Sequence, residues 1–173
     1  MTSVDNIGII DTGGDNLQNY KVDTGGLRNE EPLTQKQIDE AKDFAINLNM
    51  PKELIAYSDN YITGYNPDFD ILLIGTDLYP KTNAAYDTKT ANSRVSWKSA
   101  LGHEIIGHRE AALKKWTQSD KIFEEVQASI RATRFTPDLS EIERITLLRD
   151  AVSRLSAGIK IRDIKDILHI SER

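Results

Sequence analysis

Histidine is scarce in this chain, three in 173 residues, and two of them fall in one hexapeptide, His103-Glu104-Ile105-Ile106-Gly107-His108. Histidines four residues apart on a helix share a face and hold zinc in the pattern His-Glu-x-x-His, with the glutamate as general base. This sequence has one residue more between its histidines. Four residues turn a regular helix by about 400°, so that pair sits about 40° apart; five turn it by about 500°, and the imidazoles diverge by about 140°. Two readings follow. In the first, a π-bulge restores facing at i and i+5 and aims both imidazoles at one ion, with Gly107 where a local distortion costs least sterically. In the second the helix is regular, Glu104 and His108 share a face, and no zinc site exists.

A second cluster of chemistry-bearing residues follows: Glu124-Glu125-Val126-Gln127-Ala128-Ser129. Alone, the paired glutamates read as a solvated acidic face near a helix N-terminus, favoured by the macrodipole. Together, the two motifs resemble the dipeptidyl peptidase III family of gluzincin metallopeptidases. That family carries His-Glu-x-x-Gly-His and then a helix with Glu-Glu-x-x-Ala-Glu or Glu-Glu-x-x-Ala-Asp. The match here is at His103, Glu104, Gly107 and His108, and then at Glu124, Glu125 and Ala128. Ser129 departs, standing where the family has an acid that supports a zinc-bound histidine.

The resemblance implies that His103, His108 and Glu125 hold a Zn2+ ion, with Glu124 the alternative third ligand. It implies that Glu104 activates water and that Glu124 partners a ligand histidine. The expected function is therefore zinc-dependent hydrolysis of peptide bonds in a peptide or protein substrate. The matched stretch spans about 27 of the 173 residues, and the family's chains are several times longer with more widely spaced motifs. What carries over is the site chemistry, not dipeptide release or a two-lobed architecture. The stretch from Asn92 through Arg154 also resembles C-terminal toxin domains of bacterial secreted proteins with Rhs-type repeats, which implies a toxin or effector protease within a larger secreted polypeptide. Two alternatives stand beside this: a catalytically inactive zincin-like binding module, and a metal-dependent toxin acting on a non-peptide bond.

Catalysis by such a site also needs an oxyanion donor and a strand to align substrate. By position, Tyr79, Tyr86, Arg131, Arg134 and His169 are the candidate donors, and residues 70–76 the candidate strand. Ile9-Ile10-Asp11-Thr12-Gly13 resembles the aspartic-protease signature, but a helix over residues 34–48 lies where flap strands should be, and the recurrence of Asp-Thr-Gly-Gly at residues 23–26 reads better as a turn.

The elements that must position these residues come in a clear order. Residues 4–10 suggest a strand. Thr34 with Gln37 forms a capping box for a helix whose stripe is Ile38, Ala41, Phe44, Ala45 and Leu48, ended by Pro51. Short strands are expected at 54–57, 61–65 and 69–75, and a polar loop at 80–93. Helices are expected at 97–116, at 119–135 with Ser119 as cap, from Ser140 to about Ser156, and at 160–169. Strands first and helices after give an α+β fold: a minimal zincin-like domain in which a small sheet precedes an active-site helix, a glutamate helix and C-terminal helices. Residues 1–33, rich in Gly, Asp, Asn and Thr, read as an irregular N-terminal arm or linker before a domain over 34–173.

Composition sets the outer bounds. A net charge of −5 gives no reason to expect nucleic acid or an anionic membrane as partner. With no cysteine, disulfides, thiolate ligands and a thiol nucleophile are excluded. The first five residues have no basic n-region, so no signal peptide is expected, and no apolar run approaches a membrane span. The expected setting is cytoplasmic, or delivery as part of a secreted protein.

Overall fold

The computed structural model describes residues 21–81 and 91–173. The expected strand at 4–10, the Asp11-Thr12-Gly13 turn and Tyr86 lie outside these residues. Within them, a small sheet comes first and helices follow, the α+β order expected from the sequence.

Helix α1, Gln35–Asn47, starts at Thr34 through the capping box with Gln37. Strands β1 (Ile55–Tyr57), β2 (Gly64–Asn66) and β3 (Ile71–Ile74) form one sheet in the order β1-β3-β2. The dense apolar run takes the centre: β3 pairs parallel with β1 and antiparallel with β2. Leu72 and Ile74 alternate inward and are fully buried, as a strand covered on one face requires. They share a core with Ile38, Ala41, Phe44 and Ala45 of α1 and with Leu101, Ile105 and Ile106 of the helix that follows. Each fully buried Leu or Ile there contributes about 1.5–3 kcal/mol, so the sheet, α1 and the His-Glu motif are packed as one body.

Ser96 caps α2, Trp97–Gly102, by accepting the Ser99 N–H. The chain then continues as a π-helical segment, His103–Arg109, and returns to α spacing in α3, Glu110–Leu113. Helix α4, Lys121–Phe135, is capped by Asp120 rather than by the expected Ser119: Asp120 Oδ1 accepts the Ile122 and Phe123 N–H groups. Aspartate caps as well as serine and adds a negative charge at the positive end of the helix. Helix α5, Glu141–Arg154, starts with the Ser140–Glu143 capping box, and the last helix, α6, is shorter than expected, Ile161–Ile164. A second core joins Val126 and Ile130 of α4 to Ala151 of α5 and to Ile164, Leu168 and Ile170. Helix α4 is thus held between the motif helix and α5.

Residues 21–34, ahead of α1, form no helix or strand and are firmly attached. The Arg28 guanidinium is buried and donates to the carbonyls of Asp77, Leu78, Asn92 and Val95. No helix among the described residues is long and apolar enough to cross a membrane.

Candidate metal centre

The spacing problem of the hexapeptide is met by the π segment. Glu110 N–H bonds back to Ile105 O, five residues earlier, and i→i+5 bonding brings residues five apart onto one side. His103 Nε2 and His108 Nε2 come to 3.0 Å of each other, with their rings nearly perpendicular. One acceptor drops out of the ladder where π spacing returns to α. Arg131, fully buried on α4, donates its Nε to the Ile106 carbonyl at 3.1 Å, so this acceptor is satisfied.

Helix α4 then brings up the glutamates. Glu125 spans both imidazoles: Oε2 lies 3.2 Å from His103 Nε2, and Oε1 lies 3.5 Å from His108 Nε2. Glu124 sits behind His108, with Oε1 3.4 Å from its Nδ1 and Oε2 accepting the Gln118 N–H at 2.6 Å. The approach is close because Gly107 faces Ala128. A Cβ on Gly107 would stand 2.7 Å from both the Ala128 Cβ and its carbonyl oxygen. Gly107 does not adopt a positive φ. The glycine thus serves the contact between helices, where the sequence suggested backbone freedom.

The electrostatics of the cluster follow from burial and pairing. Burial disfavours charge on His108, but its hydrogen bonds to Glu124 and Glu125 outweigh this and push its pKa up to about 10. Burial likewise raises the Glu125 carboxyl, and the two imidazoles outweigh it, holding Glu125 far below the usual carboxylate range. The cluster therefore favours a positive charge between these groups.

Glu104 completes the group. One ligand atom each from His103, Glu104 and His108 lie within 4.8 Å of one another. Glu104 Oε2 also accepts the Tyr65 N–H at 2.9 Å. Tyr65 is the middle residue of β2, so β2 is the edge strand beside the motif. The N–H and C=O of one strand residue point the same way; both of Tyr65's therefore face the site. The strand expected for this position, residues 70–76, is instead the central strand β3, walled off by β2. Two hollows of about 260 and 560 Å3 flank the centre. Both are lined by Thr63, Glu104 and Glu125, so the cleft runs past the site on each side.

All five residues singled out as metal or acid–base groups come together. The four expected oxyanion donors among the described residues do not. Tyr79 packs on Trp97, Arg131 donates to the Ile106, His169 and Glu172 carbonyls, Arg134 donates to Ile170 O, and His169 stacks on Trp116. The cation beside the centre is Arg154 on α5, whose Nη1 lies 3.1 Å from Glu125 Oε2 and whose Nε donates to Asp150 Oδ2 at 3.0 Å. Asp150 in turn accepts from Ser129, which contacts His103. The signal for these two was present in α5. Asp150 and Arg154 fall three and seven residues after the buried Leu147, on the face that should have been apolar.

Comparison with protein families, with curated proteins and with solved structures found no match to this chain.

Proposed function

We propose that this chain is a minimal gluzincin-type zinc peptidase domain in which His103, His108 and Glu125 hold the metal and Glu104 is the general base. The observation that carries the reading is the convergence of three groups with metal-ligating atoms, two imidazole Nε2 atoms and one carboxylate, within 3.0–3.5 Å of one another. Atoms of these types come so close when a positive charge, a proton or a metal ion, is shared among them. Two imidazoles and one carboxylate are the donor set of a catalytic zinc with an open position. A zinc ion bound there supplies a Lewis acid that lowers the pKa of water to about 7.

The chain's own groups supply the rest. Glu104 accepts the proton of the attacking water and returns it to the leaving amine. Glu124 holds the His108 ring from behind at Nδ1, which keeps Nε2 directed to the centre. β2 favours a peptide substrate over other scissile bonds. Its Tyr65 C=O, on the same edge as the N–H that Glu104 occupies, offers an extended chain a backbone partner, with the hollows on each side for flanking residues. Arg154, already within reach of the centre, is the group available to stabilise developing negative charge.

The test combines metal content with peptide cleavage. Protein purified without a metal-affinity tag should carry about one zinc per chain by mass spectrometry. Glu125→Ala should lose it. Glu104→Gln should retain the metal while peptide hydrolysis falls at least about a hundredfold. Zinc retained at full stoichiometry in Glu125→Ala would refute the ligand set. A zinc-loaded wild type that cleaves none of a broad peptide library would leave a zincin-like binding module as the function.

A further inference from the structure

We infer that Asp150, acting through the Ser129 hydroxyl, sets the tautomer and orientation of His103; as a role in metal binding, this rests on the zinc reading above. Ser129 lies on α4 one turn beyond Glu125, and Asp150 comes from α5; both are buried. Ser129 Oγ is 3.1 Å from His103 Nδ1 and 3.0 Å from Asp150 Oδ2. Asp150 Oδ2 is ion-paired with Arg154 Nε at 3.0 Å, and a carboxylate in such a pair serves as an acceptor.

For a neutral His103 ring the hydrogen bonds favour one proton arrangement. A serine hydroxyl has a single proton. If that proton goes to Asp150, the Ser129 oxygen meets His103 Nδ1 with a lone pair, and Nδ1 must carry the imidazole's proton. The Nε2 lone pair is left facing His108 and Glu125. The opposite arrangement, with Ser129 donating to Nδ1, would cost the buried Asp150 Oδ2 the Ser129 bond and leave it the one from Arg154. It would also place a proton on Nε2 and close the centre to a metal. A serine hydroxyl is neutral and brings no charge to the ring. The carboxylate of another helix supplies that charge one hydroxyl further away, and α5 becomes part of the centre. Ser129 and Asp150 are positioning residues: they act through the His103 ring, although Asp150 also lines the smaller hollow.

The experiment has a readout that needs no metal and no activity. Long-range 1H–15N correlation of the imidazoles in metal-free full-length chain should show His103 protonated at Nδ1 in its neutral form. That preference should be lost in Ser129→Ala, a change small enough to leave the packing intact, and weakened in Asp150→Asn. Zinc affinity, measured by chelator competition, should fall about ten- to a hundredfold in each variant, while Ser129→Thr, which keeps the hydroxyl, stays closer to wild type than Ser129→Ala. His103 found protonated at Nε2 in the wild type would overturn the inference. So would a Ser129→Ala variant with unchanged tautomer and unchanged zinc affinity. If Asp150→Asn fails to fold, Ser129→Ala decides alone. If the wild type binds no zinc yet keeps the Nδ1–H tautomer and loses it in Ser129→Ala, the relay stands and the metal reading falls.

Discussion

Gly107 and Ala128 decide how close the two halves of the centre can come. The ideal Cβ of an alanine at 107 would meet Ala128 backbone atoms at 2.7–2.8 Å as well as its Cβ, and backbone cannot rotate away. Helix propensity alone favours Gly107→Ala by up to about 1 kcal/mol. Overpacking of this kind costs about 1–3 kcal/mol and acts on the helix that carries Glu125. The expected outcome is net destabilisation by about 1–2 kcal/mol in thermal or urea unfolding, with weaker zinc binding in the same variant. Adding Ala128→Gly should rescue only part of the loss, because the carbonyl contact remains. A Gly107→Ala protein as stable as wild type, with unchanged zinc affinity, would show that the helices have room to spare. At this scale the sequence was informative wherever residue type alone limits the chemistry. His103, His108, Glu104, Glu124 and Glu125 were all named from spacing and resemblance, and the structure brings all five together. Ser129 read only as a departure, because its partner Asp150 lies 21 positions away and no local pattern links the two.

Among the elements, α1 and α5 could be read from their capping boxes, α4 with its cap placed one residue early at Ser119 instead of Asp120, and β3 from its apolar run. Which strand would stand at the edge could not. Order within a sheet depends on pairing between strands, and the short, half-polar β2 gave no sign that it would lie against the motif helix. What holds it there is the pair of Arg109 and Asp70. Arg109, the last residue of the π segment, donates Nε and Nη2 to the two oxygens of Asp70 at 2.6 and 3.0 Å. Asp70 closes the β2–β3 turn at φ 51 and also accepts from the Tyr65 hydroxyl. Burial, with Asp70 nearby, pushes the Tyr65 phenol up to about 12, so it remains a donor at any ordinary pH. The Arg109 hydrogen bonds hold the Asp70 carboxyl below its usual value against a smaller opposing effect of burial. A depressed carboxyl pKa adds stability that is fully present above the unfolded value, about 3.9, and is lost as pH falls through the folded value. Asp70→Asn keeps a residue that tolerates the left-handed backbone and removes the charge. It should cost about 1 kcal/mol at neutral pH, since the pair is partly open to solvent. The difference from wild type should hold down to about pH 5 and shrink below about pH 4. A gap that stays constant into strong acid would assign the loss to something other than the ion pair.

For the molecule as a whole, the centre is a clasp between parts of the chain that do not otherwise touch through continuous backbone. His103 and His108 come from the π segment and Glu125 from α4, while α5 stands behind through Asp150 and Arg154 and β2 stands in front through Tyr65. An unfolded chain does not hold these groups together, so a metal bound to the native centre stabilises the native state by mass action. With free zinc about a thousandfold above its Kd, the gain is about 4 kcal/mol. For a chain of this size each kcal/mol moves the unfolding midpoint by about 2–4 °C, so zinc-loaded protein should melt roughly 10 °C above chelator-treated protein. Without metal, a proton on His108 and the Arg154 guanidinium offset the Glu125 carboxylate, and Glu125→Ala removes that carboxylate, the proposed third ligand. The variant should therefore melt at nearly the same temperature with and without zinc. A wild-type midpoint that does not respond to zinc would mean that these groups form a proton-bridged structural cluster. An equal rise in wild type and Glu125→Ala would locate the metal elsewhere on the chain.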